Sequence, residues 1–315
     1  MIAYLIKVML CSGLFIIIYK LLLEKEKMFR FNRAYLLFTM LLSFTIPALT
    51  FKTFSADLPA IQELLLTTNI SAAINPVQSS PMMVGPNPAV VVLFTVYIVI
   101  STILLFRFII NFAKILSTVR TKAKIQYRTS HIVLIPGNQA PHSFLHYIFI
   151  NEKDFQTGKI ENEILAHEFC HVEQKHSYDI IFIELLLTIF WFNPFLYLFK
   201  KSLRLNHEFL ADETVIQGCS SIGGYQNLLI RKYIQPSASY FTSQFNYLTT
   251  KKRLIMMTKP RSFTIELMKQ IFLIPVLALS VLIFSTNTIA QQSSPVKQKN
   301  KKKRHQPRWV QLKNS

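Results

Sequence analysis

The stretch whose reading decides the rest is residues 161–212, ENEILAHEFCHVEQKHSYDIIFIELLLTIFWFNPFLYLFKKSLRLNHEFLAD. It opens with Glu161 and Glu163 ahead of Ile164, Leu165, Phe169 and Val172. Acids in a first helical turn suit the positive end of the helix dipole, so a helix is predicted from about residue 161. On it stands His167-Glu168-Phe169-Cys170-His171, a match to H-E-x-x-H. Residues four apart share one face, so two imidazoles can grip one Zn²⁺ at about 2.0–2.1 Å. Glu168, about 100° further round the helix, reaches a water at the ion without ligating the ion itself. Zinc lowers the pKa of that water toward ~7, and the carboxylate takes its proton and passes it to a leaving amine.

A catalytic zinc site needs a third protein ligand and an open position. Downstream lies His207-Glu208-Phe209-Leu210-Ala211-Asp212. Glu208 and Asp212 are four apart on one face, so Glu208 can ligate while Asp212 orients a ligand imidazole. Three rivals are weaker. His176 falls on the opposite face if the first helix continues, and His207 has no acid one turn later on its own face. Glu184 sits in an apolar run and reads as a polar contact between helices.

The run from Ile180 to Phe199 is apolar enough to span a bilayer, but a crossing would strand Glu208 roughly 30 Å from the histidines. Trp191-Phe192-Asn193-Pro194 offers a break, because proline disfavours helix at the residue before it. Two helices are therefore expected, about 178–191 and 195–217, as a hairpin against or partly within the membrane.

Composition agrees with a membrane setting. The 315 residues are 51% hydrophobic and 16% charged, against about 25% charged for a soluble domain. The formal charge of +19 leaves membrane surface or nucleic acid as partners, and the placement of the charges favours the membrane. Three spread cysteines (Cys11, Cys170, Cys219) exclude a disulfide scaffold and are assigned no role. Four stretches qualify as spans: about 2–23, 34–51, 89–112 and 271–290. The loop 24–33 carries Lys25, Lys27, Arg30 and Arg33, whereas 52–88 carries one lysine. The positive-inside bias puts the first loop in the cytoplasm and the second outside, and so residues 114–269 in the cytoplasm. The first part of that segment reads as strands, at 124–127, 131–136 and 143–151.

These pieces together resemble the BlaR/MecR-type integral membrane zinc metallopeptidases, which are gluzincin-like. The resemblance rests on the spans, the H-E-x-x-H helix, the W-F-N-P hairpin and E-x-x-x-D. It is extended by Glu24-Lys25-Glu26, by Phe29-Arg30-Phe31-Asn32-Arg33, by Ser143-Phe144 before Ile148-Phe149-Ile150-Asn151, and by Lys252-Arg253-Leu254-Ile255-Met256-Met257. It implies His167, His171 and Glu208 as zinc ligands, Glu168 as general base and Asp212 behind the ligands. It also implies cleavage of a cytoplasmic regulator, such as a transcriptional repressor, or of the chain itself.

The fold expected is mainly α: four transmembrane helices plus a cytoplasmic zincin-like α+β domain with the membrane-associated hairpin. Its parts are residues 1–113, three spans; 114–268, the peptidase domain with hairpin 178–217; 269–290, the last span; and 291–315, a basic tail. The bacterial inner membrane is the expected location. Expected partners are a protein substrate, the bilayer and a second copy of the chain, with no direct nucleic-acid contact. The chain departs from beta-lactam sensors of this kind, since only about 25 residues follow the last span, too few for a core. Ser294-Pro295-Val296-Lys297 matches S-x-x-K without a domain to activate the serine. A non-catalytic membrane adaptor is the alternative.

Overall fold

The computed structural model describes residues 2–49, 51–52, 88–137, 139–219, 221–234 and 240–287. Most of the second loop and the whole basic tail, with its S-x-x-K match, lie outside them. The described chain is mainly helical with a small sheet. In order it runs α1 (Ile2–Ile18), a π-turn (Tyr19–Leu23), α2 (Phe29–Thr45), a 3₁₀ turn (Ile46–Ala48), β1 (Phe51–Lys52) and α3 (Pro88–Thr121). Then come β2 (Lys124–Tyr127), β3 (Ser130–Ile135), β4 (His142–Phe144), β5 (Tyr147–Asn151), α4 (Glu152–Gln156) and α5 (Asn162–Glu173). The last elements are α6 (His176–Ile189), α7 (Pro194–Gly218), α8 (Ile222–Ile234), α9 (Tyr240–Thr258), α10 (Phe263–Ser285) and β6 (Thr286–Asn287).

Three described helices are long and apolar enough to cross a membrane: Ala3–Leu23, Pro88–Thr121 and Phe263–Ser285. The second expected span differs. Its helix starts at Phe29, is 17 residues long and ends in the 3₁₀ turn at Pro47, where the ring removes a backbone donor. One side of α2 packs inside the bundle through Tyr35, Leu36 and Met40, and Tyr35 donates its hydroxyl to the Phe15 carbonyl at 3.2 Å.

The hairpin forms where the sequence breaks. Asn193 caps α7 by accepting from the Phe195 N–H at 3.0 Å, and Pro194 takes the first helical position, which needs no donor. The Asn193 amide also donates to Ser12 Oγ on α1 at 3.0 Å. Gly13 lets this corner close: a Cβ there would stand 2.8 Å from the Phe195 ring. The hairpin packs on α1, α2 and α10 through Phe15, Leu36, Ile183, Leu196, Phe199 and Leu273.

The sheet order is β2-β3-β5-β4, with β3 and β5 parallel and the other pairs antiparallel. Side chains alternate along β5 and both of its faces are covered. Ile148 and Ile150 meet Phe169 and Val172 of α5, while Phe149 joins Val133 and Ile135 against Val119 of α3. The sheet thus fixes the H-E-x-x-H helix relative to the end of α3.

Candidate metal centre

Helix α5 presents His167 and His171 one turn apart, and α7 brings Glu208 to the same point. The ligating atoms of the three lie within 4.8 Å of one another. The two Nε2 atoms are 3.2 Å apart, His167 Nε2 is 3.4 Å from Glu208 Oε2, and His171 Nε2 is 3.7 Å from Glu208 Oε1. A tetrahedral ion bonded at 2.0–2.1 Å asks for donor separations of about 3.3 Å. The three donors therefore fit a divalent ion with one corner left open.

A second layer stands behind them. Tyr225 of α8 places its hydroxyl 3.0 Å from His167 Nδ1 and donates it to Asp212 Oδ1 at 2.8 Å. Asp212 Oδ1 itself is 3.4 Å from that nitrogen. Arg253 of α9 holds Asp212 with two bonds, Nε to Oδ2 at 2.8 Å and Nη2 to Oδ1 at 2.6 Å. Its Nη1 lies 2.8 Å from Glu208 Oε2. One buried guanidinium thus aligns both carboxylates of E-x-x-x-D.

The electrostatics follow from this packing. Burial disfavours a charged His167, but hydrogen bonds to Asp212 and Glu208 outweigh it and push the imidazole up to about 9. Burial, then the neighbouring His167, holds His171 down to about 3 despite Glu208. Burial works against both carboxylates, yet His167 and Arg253 keep Glu208 and Asp212 below the usual carboxylate range.

Helix α5 does not continue to His176. It ends at Glu173, and Lys175 turns the chain with φ of 56°, so α6 starts in a new direction. His176 then comes back onto His171, with the two Nδ1 atoms 2.8 Å apart. His207 finds its acid on another helix: His207 Nε2 is 2.8 Å from Asp179 Oδ2 on α6. Neither His176 nor His207 joins the three donors. Glu184 forms ion pairs across the hairpin, with Lys200 and, at 3.9 Å, with Arg204. Buried Cys170 packs against Thr214 and Gln174, with Sγ 3.4 Å from Thr214 Oγ1 and 3.1 Å from Gln174 Nε2.

The donors open on a cavity of about 1650 Å³ whose wall includes Glu168, Ser143 of β4, and Phe108 and Arg107 of α3. Residues 147–257, from β5 through most of α9, match a family model described as BlaR1 peptidase M56. This segment is similar to the BlaR1 peptidase M56 family. No curated protein matches the chain. The M56 segment contains every donor just described, together with Tyr225 and Arg253, and the M56 family is one of metallopeptidases. Within it, Tyr225 carried no sequence signal. Arg253 lies in K-R-L-I-M-M, where nothing local points to its role, because its partners lie 41 residues and more away.

Proposed function

We propose that the chain is an integral membrane zinc endopeptidase, with Glu168 as general base and His167, His171 and Glu208 as ligands. The observation that carries this reading is the three-donor cluster on one wall of the cavity, with Glu168 beside it on the same helix. Imidazole and carboxylate donors at these separations suit zinc. Bound there, zinc supplies Lewis acidity, making water a usable nucleophile near neutral pH and polarising a peptide carbonyl. Glu168 takes the proton of the attacking water and later delivers it to the departing amine. Asp212 and Tyr225 hold His167 with Nε2 toward the cavity, and Arg253 fixes the rotamer of Glu208. Strand β4 is an edge of the sheet and lines the cavity, so an extended substrate can add to it as a further strand.

The site belongs on the cytoplasmic face of a bacterial inner membrane, with a protein regulator or the chain itself as substrate. Helix α2 with its 3₁₀ turn is about 30 Å long, enough for a fourth span. Ion pairs tie the basic first loop to the M56 side: Glu24 pairs with Lys252, and Glu26 pairs with Lys259 and Lys269 at 2.7 Å each. At the other end, β1 and β6 pair in parallel, Phe51 with Thr286 and Lys52 with Asn287. The chain after residue 287 therefore leaves beside the start of the second loop, which supports a tail on the outer side.

The test is direct. The full-length protein purified in detergent should hold one zinc per chain, and cells carrying Glu168→Gln should accumulate a substrate that the wild type processes. A protein without stoichiometric metal, or equal processing by the variant, would leave the adaptor reading in its place.

A further inference from the structure

The residues that flank the metal donors on the α6 side have no part in the chemistry so far. They form a continuous series. His171 Nδ1 meets His176 Nδ1 at 2.8 Å, and the His176 ring lies flat on His207, with centroids 4.0 Å apart and planes 11° from parallel. His207 Nε2 meets Asp179 at 2.8 Å, and Arg33 of α2 grips the same carboxylate through Nε at 2.7 Å and Nη2 at 3.2 Å. His176, Asp179 and His207 are all buried.

We propose that His176 is a positioning residue for the metal centre, accepting the Nδ1–H of His171 so that His171 Nε2 keeps its lone pair for the ion. The inference rests on the metal reading given above. Nε2 of His171 faces the other two donors, so a ligating His171 must carry its proton on Nδ1. The atom that meets this proton is His176 Nδ1, which must then be the acceptor. His176 is left protonated at Nε2, and that nitrogen is buried with no hydrogen-bond partner among the described residues. An orphaned buried N–H is unfavourable and needs a compensating role. Fixing the tautomer and orientation of a ligand imidazole is such a role.

The remaining members hold His176 in place. His176 and Asp179 are three residues apart on one face of α6. The stacked His207 and the Arg33 fork therefore lock the turn that carries the acceptor. His167 is oriented by a carboxylate and a tyrosine, whereas His171 is oriented by this imidazole stack. The two ligands thus lean on different sets of side chains, His167 on Asp212, Tyr225 and Arg253 and His171 on His176, His207, Asp179 and Arg33.

Zinc affinity of the full-length protein, measured by competition with a chromogenic chelator, tests the assignment without reference to proteolysis. In His176→Asn the amide oxygen falls where Nδ1 sits, and affinity should stay close to wild type. In His176→Gln the polar end moves one bond further, His171 Nδ1 loses its acceptor, and affinity should fall by roughly 10–100-fold. Wild-type affinity in the Gln variant, or an equal loss in both, overturns the proposal. Melting of the metal-free proteins reports whether each variant folds. If Gln does not, the Asn variant decides: retained affinity supports the role and lost affinity refutes it. A wild type that binds zinc but cleaves nothing defeats the peptidase reading alone, whereas one that binds no zinc defeats both.

Discussion

At the scale of single residues, Glu168 and Arg253 separate chemistry from architecture. Glu168→Gln keeps the size of the side chain and removes its basicity. Zinc content should be unchanged while turnover falls by about 10²–10⁴, read by following substrate with time. Arg253 behaves differently, because it is buried and faces two carboxylates, one of them the buried Asp212. Removing one partner of a buried ion pair costs about 3–5 kcal/mol, so Arg253→Met should lower the melting temperature markedly and weaken metal binding as well. Arg253→Lys should recover only part of either, since an ammonium lacks the fork that spans both oxygens of Asp212.

At the scale of elements, the contacts between helices carry the predictions. Asn193 is both the cap of α7 and a link to α1, so Asn193→Ala should destabilise by about 1–2 kcal/mol in chemical denaturation. Arg33 joins α2 to α6 through Asp179, a charged pair of hydrogen bonds worth about 1.5–3 kcal/mol. Burial opposes ionisation of Asp179, but His207 and Arg33 hold its pKa below the usual range. A lowered folded pKa means that this stabilisation is complete above the unfolded value, ~3.9, and is lost as pH falls through the folded one. The melting difference between wild type and Arg33→Met should therefore be steady from about pH 8 to 5 and shrink below about pH 4. Much at this scale was legible beforehand. The strands at 124–127 and near 131–136, the helix carrying His167 and the break at Asn193-Pro194 all follow from local pattern. Hidden from local pattern was the turn at Lys175, since a left-handed backbone at a lysine has no glycine or asparagine to announce it.

At the scale of the whole molecule, the expected arrangement turns on α2 and the tail. If α2 is a fourth span, single cysteines placed in the first loop and near residue 122 should be labelled only from the cytoplasm. A cysteine within residues 53–87, or beyond residue 300, should react with an impermeant reagent from outside. Labelling of the first loop and of residues 53–87 from the same side would leave three spans and reassign α2 to the bundle interior, whereas a cytoplasmic tail would mean that α10 does not cross. The +19 charge finds its place at this scale too: the first loop's basic residues sit beside the acids Glu24 and Glu26, which tie that loop to α9 and α10.

The sequence by itself determined the features that live within a few residues of one another. The i, i+4 spacing of His167 and His171, the adjacent Glu168 and the E-x-x-x-D of Glu208 and Asp212 are properties of a single helix each. Hydropathy likewise marked the long apolar segments, because desolvation acts on every residue of a run. Tertiary structure alone decided what stands behind the donors. The acid of His207 comes from α6, the guanidinium of Asp212 from α9, and the acceptor for His171 from a helix that turns back on it. No periodicity encodes such pairs, since their partners meet only after the apolar faces have packed. Their energies come from the burial that packing creates.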